Sequence, residues 1–413
     1  MFNKIKNLKK DELLKGSFLL IFSIFIFNLF NYFFHMLSAR MLDAADYGIL
    51  ASLMALIYIF SIPSESIQTI ITKNVSFFNK KNDGKIKNLL KKILKKCLFF
   101  AFVFFICFLF ISLFLSYNLK INFLLLFLTG IFIFISFITP VIRGILQGKK
   151  KFDLLGFNII SEGLIKIILT SIFLYFGLKV YGAITAVILS SFLSFLLGFL
   201  FIKDILLKKE DKAEIRNNNF DNCIILLITM IITIFYSLDV LFARKFFDPT
   251  LSGQYSFVSL VGKINLFIGF SIGKVMFPLS LEKFNGKKQT KNLFKKAILL
   301  NLLISFVILS LYFFVPKQII KILSLGSNKY LEASNILFIL GISFVFLSFS
   351  YIIFLYLFSI NKIKRFPFFT IFILFLFILL LNLFHYNIFQ FSLIILFCCF
   401  LIFVYSLIYL IRK

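Results

Sequence analysis

Four charged residues stand in stretches that are otherwise apolar: Glu162 and Lys166, and Asp239 and Lys263. Neither set has the spacing of a hydrolytic pair or a metal site, so the chemistry they suggest is the handling of ions rather than bond breaking. Glu162 precedes Lys166 by four residues, which on a helix lets the two charges meet on one face. Counting about 1.5 Å per residue from Lys151 puts this pair roughly 16 to 23 Å into a bilayer, and the same count from Gly253 puts Lys263 about 15 Å deep. Charges at such depth are costly against lipid and mark either a structural pair or a place where an ionic ligand is received. Lys263 is the leading candidate for an anionic ligand, with Lys166, Arg40 and Arg244 behind it. Its rival reading is a structural pair with Asp239. Glu162 and Asp239 are the candidates for coupling to an ion, since exchange of Na⁺ or H⁺ needs a carboxylate that changes partner or protonation. Asn31 and His35 share a face with Asn28 and Ser38, at steps of three and four. That face is either interhelical glue or a ligand lining.

Those depths presuppose a membrane, and the composition requires one. With 61% hydrophobic residues and 64 Phe in 413 positions, the chain has too little polar surface to cover a soluble globule. Twelve segments reach or approach the ~20 apolar residues of a spanning helix. The expected fold is therefore an all-α polytopic membrane protein of about twelve transmembrane helices. The net charge of +28 would suggest nucleic acid in a soluble chain, but Lys and Arg cluster in alternate loops: nine Lys between Lys73 and Lys96, then Lys149–Lys151, Lys203–Arg216 and Lys283–Lys296. The positive-inside rule then puts both termini in the cytoplasm, with no nucleic acid as partner. The stretch Asn82–Lys96 alternates apolar residues and lysines at helical spacing and is expected to lie on the cytoplasmic leaflet, in contact with membrane lipids. The segments Leu98–Tyr117 and Phe123–Ile142 are nearly featureless and are expected to face lipid. Pro63 is expected to bend the second segment, with nearby Ser side chains meeting the freed carbonyl. Gly269 and Gly273 form a small-xxx-small step for close helix packing. Five Cys without metal or redox spacing read as small core residues.

A repeat organises the chain. ARMLDAADYG, Ala39–Gly48, is echoed by ARKFFDPTLSG, Ala243–Gly253: an apolar segment ends in Ala-Arg, an Asp follows, and five residues later a Gly opens the next segment. Two halves follow, 1–203 and 222–413, joined by a cytoplasmic linker at 204–221. Phosphate-binding loops, zinc motifs and an arginine-rich voltage sensor are absent from the sequence, so no cofactor or metal is expected, and no enzyme activity.

The stretch SARMLDAADYGILASL, Ser38–Leu53, together with RGILQGKKKFDLLG, Arg143–Gly156, and SLDVLFARKFFDPTLSGQYSFVSLVGKI, Ser237–Ile264, resembles the oligosaccharide and polysaccharide (O-antigen-type) flippases of the multidrug, oligosaccharidyl-lipid and polysaccharide exporter superfamily. The resemblance is carried by motifs in the first eight segments and by hydropathy alone in the last four. It implies two six-helix lobes around a central cavity, a cell (inner) membrane location, and movement of undecaprenyl-pyrophosphate-linked oligosaccharide to the outer leaflet for surface polysaccharide such as lipopolysaccharide. Coupling to Na⁺ or H⁺ and contact with polysaccharide assembly proteins are compatible with it. The alternatives are a multidrug exporter of the same superfamily, which the excess of intramembrane lysines disfavours, and a membrane-embedded glycan polymerase or glycosyltransferase, which would need a catalytic pair on an exterior loop.

Overall fold

The computed structural model describes residues 12–78, 83–211, 219–285, 290–360, 362 and 366–412. The lysines Lys4, Lys6, Lys9 and Lys10, part of the linker, part of the basic stretch Lys283–Lys296 and most of the Asn361–Arg365 turn fall outside these residues. Among the described residues every regular element is helical: α1 Glu12–Met41, α2 Ala44–Phe60, α3 Ile62–Phe77, α4 Asp83–Leu119, α5 Phe123–Gly148, α6 Phe152–Tyr175, α7 Lys179–Phe201, the short α8 Lys203–Leu206, α9 Asn219–Phe246, α10 Pro249–Gly262, α11 Ile264–Asn285, α12 Lys291–Phe314, α13 Pro316–Leu323, a 3₁₀ turn Glu332–Ile336, α14 Leu337–Ser359, α15 Phe366–Leu383 and α16 Ile388–Ile411. Ten spans among the described residues are long and apolar enough to cross a membrane, α2 with α3 and α10 with α11 each counting as one. The other two expected spans coincide with α9 and with α15, whose apolar stretch Phe369–Leu383 is shorter. The protein is a polytopic, all-helical membrane protein.

Two compact units divide the chain: Met1–Leu42 with Leu56–Leu226, and Asp43–Ala55 with Leu227–Lys413. In the first, α1 packs along α6, α3 and α4 along α5, and α7 on both α5 and α6. Helix α5 is buried along most of its length, contrary to the expectation that it faces lipid. The physical reason is its line of small and polar residues, Thr129, Gly130, Ser136 and Gly144, which admit neighbours closely; a Cβ on Gly144 would stand 2.8 Å from Ile71 Cβ of α3. Helix α4 does turn Phe99, Phe102, Phe110 and Phe114 outward, as a lipid-facing helix should. Cys107 lies exposed on it, so it is no core residue, whereas Cys97, Cys398 and Cys399 are buried.

Two prolines explain local breaks. Pro63 sits in the first turn of α3, where its missing N–H is harmless, and the chain breaks between α2 and α3 at Ser61. Pro140 lies inside α5 and frees the carbonyl of Ser136, four residues before it. Ser64 Oγ donates to that carbonyl at 2.7 Å. The serine beside one proline thus meets the carbonyl freed by the other.

The lysine-rich stretch Asn82–Lys96 does not lie flat on a leaflet. Its described part, from Asp83, is the first third of α4, a single helix of 37 residues, about 55 Å long against ~30 Å of hydrocarbon. Its apolar side is taken by protein instead of lipid: Ile86, Leu89 and Leu90 are buried, and Gly84 abuts the backbone carbonyl of Lys209 and the carboxylate of Asp211. Lys87 Nζ donates to Lys208 O at 2.8 Å, Asn88 Nδ2 donates to Glu210 at 2.9 Å, and Lys91 pairs with Glu210. The bonds from Lys91 and Asn88 hold the Glu210 carboxyl below the ordinary glutamate range. Lys149 pairs with Asp83 in the same region.

In the second unit α14 is central, with α10, α11, α12 and α16 all packed on it. The glycine step works as expected: Gly269 abuts Ser348, and a Cβ on Gly273 would fall 2.8 Å from Tyr351. Lys-rich and Lys-poor loops alternate along this frame, so a reporter fused after Lys151 is expected to read cytoplasmic and one after Lys120 or Asn328 exterior. An exterior reading at Lys151 would overturn the assignment of sides.

Candidate functional site

Among the described residues, each unit sets a carboxylate in its helical interior, Glu162 in the first, with its side chain 12% exposed, and Asp239 in the second, fully buried, and each is held by a cation. In the first unit, Asn158 and Glu162 stand one turn apart on α6, and Ser191 and Ser194 one turn apart on α7, so four polar groups share one helix contact. Arg143 of α5 completes it. Its Nη2 lies 2.5 Å from Glu162 Oε2 and 3.1 Å from Ser194 Oγ, and its Nε donates to Asn158 Oδ1 at 2.9 Å. Ser191 Oγ donates to the other Glu162 oxygen at 2.6 Å, and Asn158 Nδ2 to Ser194 O at 2.6 Å. A guanidinium with a carboxylate is the strong form of such a bond, and every remaining group finds a partner, which a buried network requires.

This corrects the expected pairing of Glu162 with Lys166. The two share α6, but Glu162 is bonded to Arg143 and Lys166 to Asn31. Lys166, 5% exposed, donates to Asn31 Oδ1 of α1 and lies 5.4 Å from the ring centre of Phe27 and 5.2 Å from that of Phe34. The reason is the placement of α1 and α5: Arg143, a planar fork, fits between α6 and α7, and Lys166 reaches the opposite neighbour, α1. Arg143 escapes a reading of the sequence because it opens a lysine-rich turn and looks like part of it. It stands five residues before the end of α5 at Gly148, about 7 Å up the helix, already clear of the loop.

The polar face of α1 divides. His35 and Ser38 are buried, Asn31 is half-buried and Asn28 is exposed. His35 Nε2 lies 3.3 Å from Tyr58 OH. Arg40 is exposed at the end of the helix.

In the second unit, Tyr255, Ser259 and Lys263 follow one another at four-residue steps along α10 and its end, all aimed at α9. Asp239 of α9, fully buried, accepts from Lys263 at 3.0 Å, from Ser259 Oγ at 2.5 Å and from Tyr255 OH at 3.3 Å. The Lys263 ammonium also lies 5.2 Å from the ring centre of Phe344. Three donors on one carboxylate leave little of its charge uncompensated. Lys263 is 5% exposed, held inside its own unit by a carboxylate and a ring. Arg244 stands apart from this cluster: its Nη1 donates to Ser252 Oγ at 3.3 Å, and Asp46 lies within electrostatic reach. Among the described residues no group of three or more His, Cys, Asp or Glu could hold a metal ion.

The repeat signatures meet in the second unit, which takes in Asp43–Ala55. A Cβ on Gly48 would stand 3.0 Å from Gly253 Cα, and one on Gly253 would fall on the carbonyl oxygen of Ala44. Beside this crossing Tyr47, Phe257 and Tyr330 cluster, with Phe257 and Tyr330 tilted and centred 4.5 Å apart and Tyr47 edge-on to Phe257 at 5.5 Å.

No curated protein matches the chain. Among solved structures it is similar to an inward-facing multidrug resistance MATE family transporter of the MOP superfamily, at 14% identity, a TM-score of 0.70, and coverage of 94% of this chain and 95% of that one. It is also similar to the MATE multidrug transporter DinF-BH, at 15% identity and a TM-score of 0.65, covering 97% and 95%. A MOP superfamily transporter from Pyrococcus furiosus, described by the reverse polarity of its binding pocket, matches at 16% identity with a TM-score of 0.57, covering 97% and 94%. At such identities the likeness shows the fold, which is that of MOP superfamily transporters. Residues 13–284 match the model of the polysaccharide biosynthesis protein family, well over half of the chain, and the chain belongs to that family.

Proposed function

We propose that this transporter moves lipid-linked oligosaccharide, carried on undecaprenyl pyrophosphate, from the cytoplasmic to the outer leaflet of the cell (inner) membrane for surface polysaccharide assembly. The observation that carries the reading is the family match over residues 13–284 on a chain that takes the MOP transporter fold along nearly its whole length. The two halves flanking the linker at 204–221 would act as lobes in alternating access, with both termini cytoplasmic and the basic loops on the same side. The pyrophosphate is the one part of the cargo shared by all such glycans, and buried cations suit it. Ion coupling through Glu162 or Asp239 would require each to release Arg143 or Lys263, so a coupling ion must compete with a bonded cation. The same observation weighs against organic cations as cargo, because Glu162 and Asp239 are already paired with cations.

Deletion of the gene tests the reading. The expected result is that lipid-linked oligosaccharide is still made, accumulates on the cytoplasmic leaflet, and surface polysaccharide is lost. Loss of the lipid-linked oligosaccharide itself would instead assign the chain to its assembly, and unchanged surface polysaccharide would reject the cargo.

A further inference from the structure

We propose that Lys166 and Asn31 form the receptor for the cargo's phosphate group on the first unit, a role that rests on the function proposed above. Arg244 is also buried but lies in the last turn of α9; the three cations set deeper in their helices, Arg143, Lys166 and Lys263, can be compared. Arg143 is bonded to Glu162 and Lys263 to Asp239. Lys166 alone of the three has no carboxylate within ion-pair distance among the described residues; its contacts are an amide oxygen and two phenyl faces. An ammonium buried without a counter-charge is costly, and a cage of rings and one amide offsets only part of that cost. Glu162, one turn away on the same helix, helps at longer range but commits its oxygens to Arg143 and Ser191. A charge kept in that condition suits a site whose counter-charge arrives with the ligand.

Asn31 supplies the second donor. A charged lysine offers only hydrogens, so the amide must present its oxygen to Lys166, and its NH₂ is directed elsewhere. That NH₂ makes no hydrogen bond among the described residues. Asn31 is half-buried, and Asn28, one turn earlier on the same face of α1, is exposed. A phosphate approaching along this face meets amide donors first and the ammonium behind them. Two donors, one of them charged, on one tetrahedral anion is ordinary phosphate recognition. The ligand chemistry is therefore a phosphate or pyrophosphate monoanion or dianion, on a polyprenyl lipid or free in water.

The test uses the full chain in phosphatidylcholine nanodiscs, with binding read by native mass spectrometry for three probes: undecaprenyl pyrophosphate, undecaprenol and inorganic pyrophosphate. The wild type is expected to prefer undecaprenyl pyrophosphate over undecaprenol, and Lys166→Met to lose about tenfold or more of that preference while binding undecaprenol as before. Asn31→Asp is the decisive variant. It is isosteric, gives Lys166 an internal counter-charge and removes the NH₂ donor, so a purely structural lysine would tolerate it or gain stability, whereas the receptor should lose the pyrophosphate lipid. Retained preference in Asn31→Asp or in a folded Lys166→Met overturns the assignment and leaves the cargo reading standing. If the wild type shows no preference for the phosphorylated lipid and does not bind inorganic pyrophosphate, both fall. Binding of inorganic pyrophosphate that is lost in Lys166→Met keeps the receptor, with a soluble anion as its occupant in place of the lipid.

Discussion

Replacing Lys263 by methionine is expected to destabilise the protein by roughly 3 to 5 kcal/mol, and removing Asp239 in the same chain is expected to return most of that loss. What the substitution leaves behind sets the cost. Asp239 is fully buried and keeps two neutral donors, Ser259 and Tyr255, but no cation, in a helical interior where a lone carboxylate has no water to turn to. Methionine matches the length of lysine and still fills the space over Phe344, so lost packing is a minor part of the effect. In Lys263→Met/Asp239→Leu the charge is gone with its partner, and apolar replacements of buried pairs are often neutral or stabilising. The check is the thermal midpoint of detergent-purified protein for the wild type, the two single variants and the double variant. Additive losses would show that the two residues act separately. Recovery in the double variant of transport as well as stability would remove Lys263 from any direct part in cargo binding.

That pair shows how far a sequence can be read. Depth counting locates Asp239 and Lys263 as intramembrane charges, and the four-residue steps of Tyr255, Ser259 and Lys263 mark a common face, though only the fold shows that all three converge on one carboxylate. The helical segments are legible because a bilayer imposes length and apolarity on each one separately. Partner choice is not, because it depends on which helices are neighbours. Glu162 and Lys166 satisfy the i, i+4 rule, yet each turns to a different helix, and the guanidinium that takes Glu162 is masked in the sequence by the lysine-rich turn that follows it. The surface of α5 is illegible for the same reason. Its hydropathy matches that of α12, which turns most of its surface outward, and only its small residues, Thr129, Gly130, Ser136 and Gly144, betray close neighbours. The lysine-rich start of α4 is amphipathic as expected, but an amphipathic face does not say whether lipid or protein covers it.

The repeat gives the second large effect: valine at Gly253 is expected to abolish accumulation of folded protein, alanine at Gly253 to reduce it strongly, alanine at Gly48 to reduce it less, and alanine at Gly262 to leave it close to the wild type. The order follows from what an added methyl group meets. At Gly253 it falls on the carbonyl oxygen of Ala44, which is backbone and cannot rotate away. At Gly48 it meets Gly253 Cα and N at 3.0 Å, a contact that a small shift of the two helices can relieve. At Gly262 the nearest atoms are Leu340 Cβ at 3.2 Å and the Leu340 carbonyl carbon at 3.4 Å, which a shift of a few tenths of an ångström relieves. Overpacking of a close-packed interior costs about 1 to 3 kcal/mol where side chains can move, and more where two main chains are in contact. The crossing also carries the clustered rings of Tyr47, Phe257 and Tyr330 and the exposed pair of Asp43 with Lys329 at 3.7 Å, so separating the backbones would disturb all of them together. Fluorescence-detected size exclusion of tagged variants expressed side by side measures the series. Equal behaviour of Gly253→Ala and Gly262→Ala would show that the two repeat signatures do not cross backbone to backbone in the folded protein.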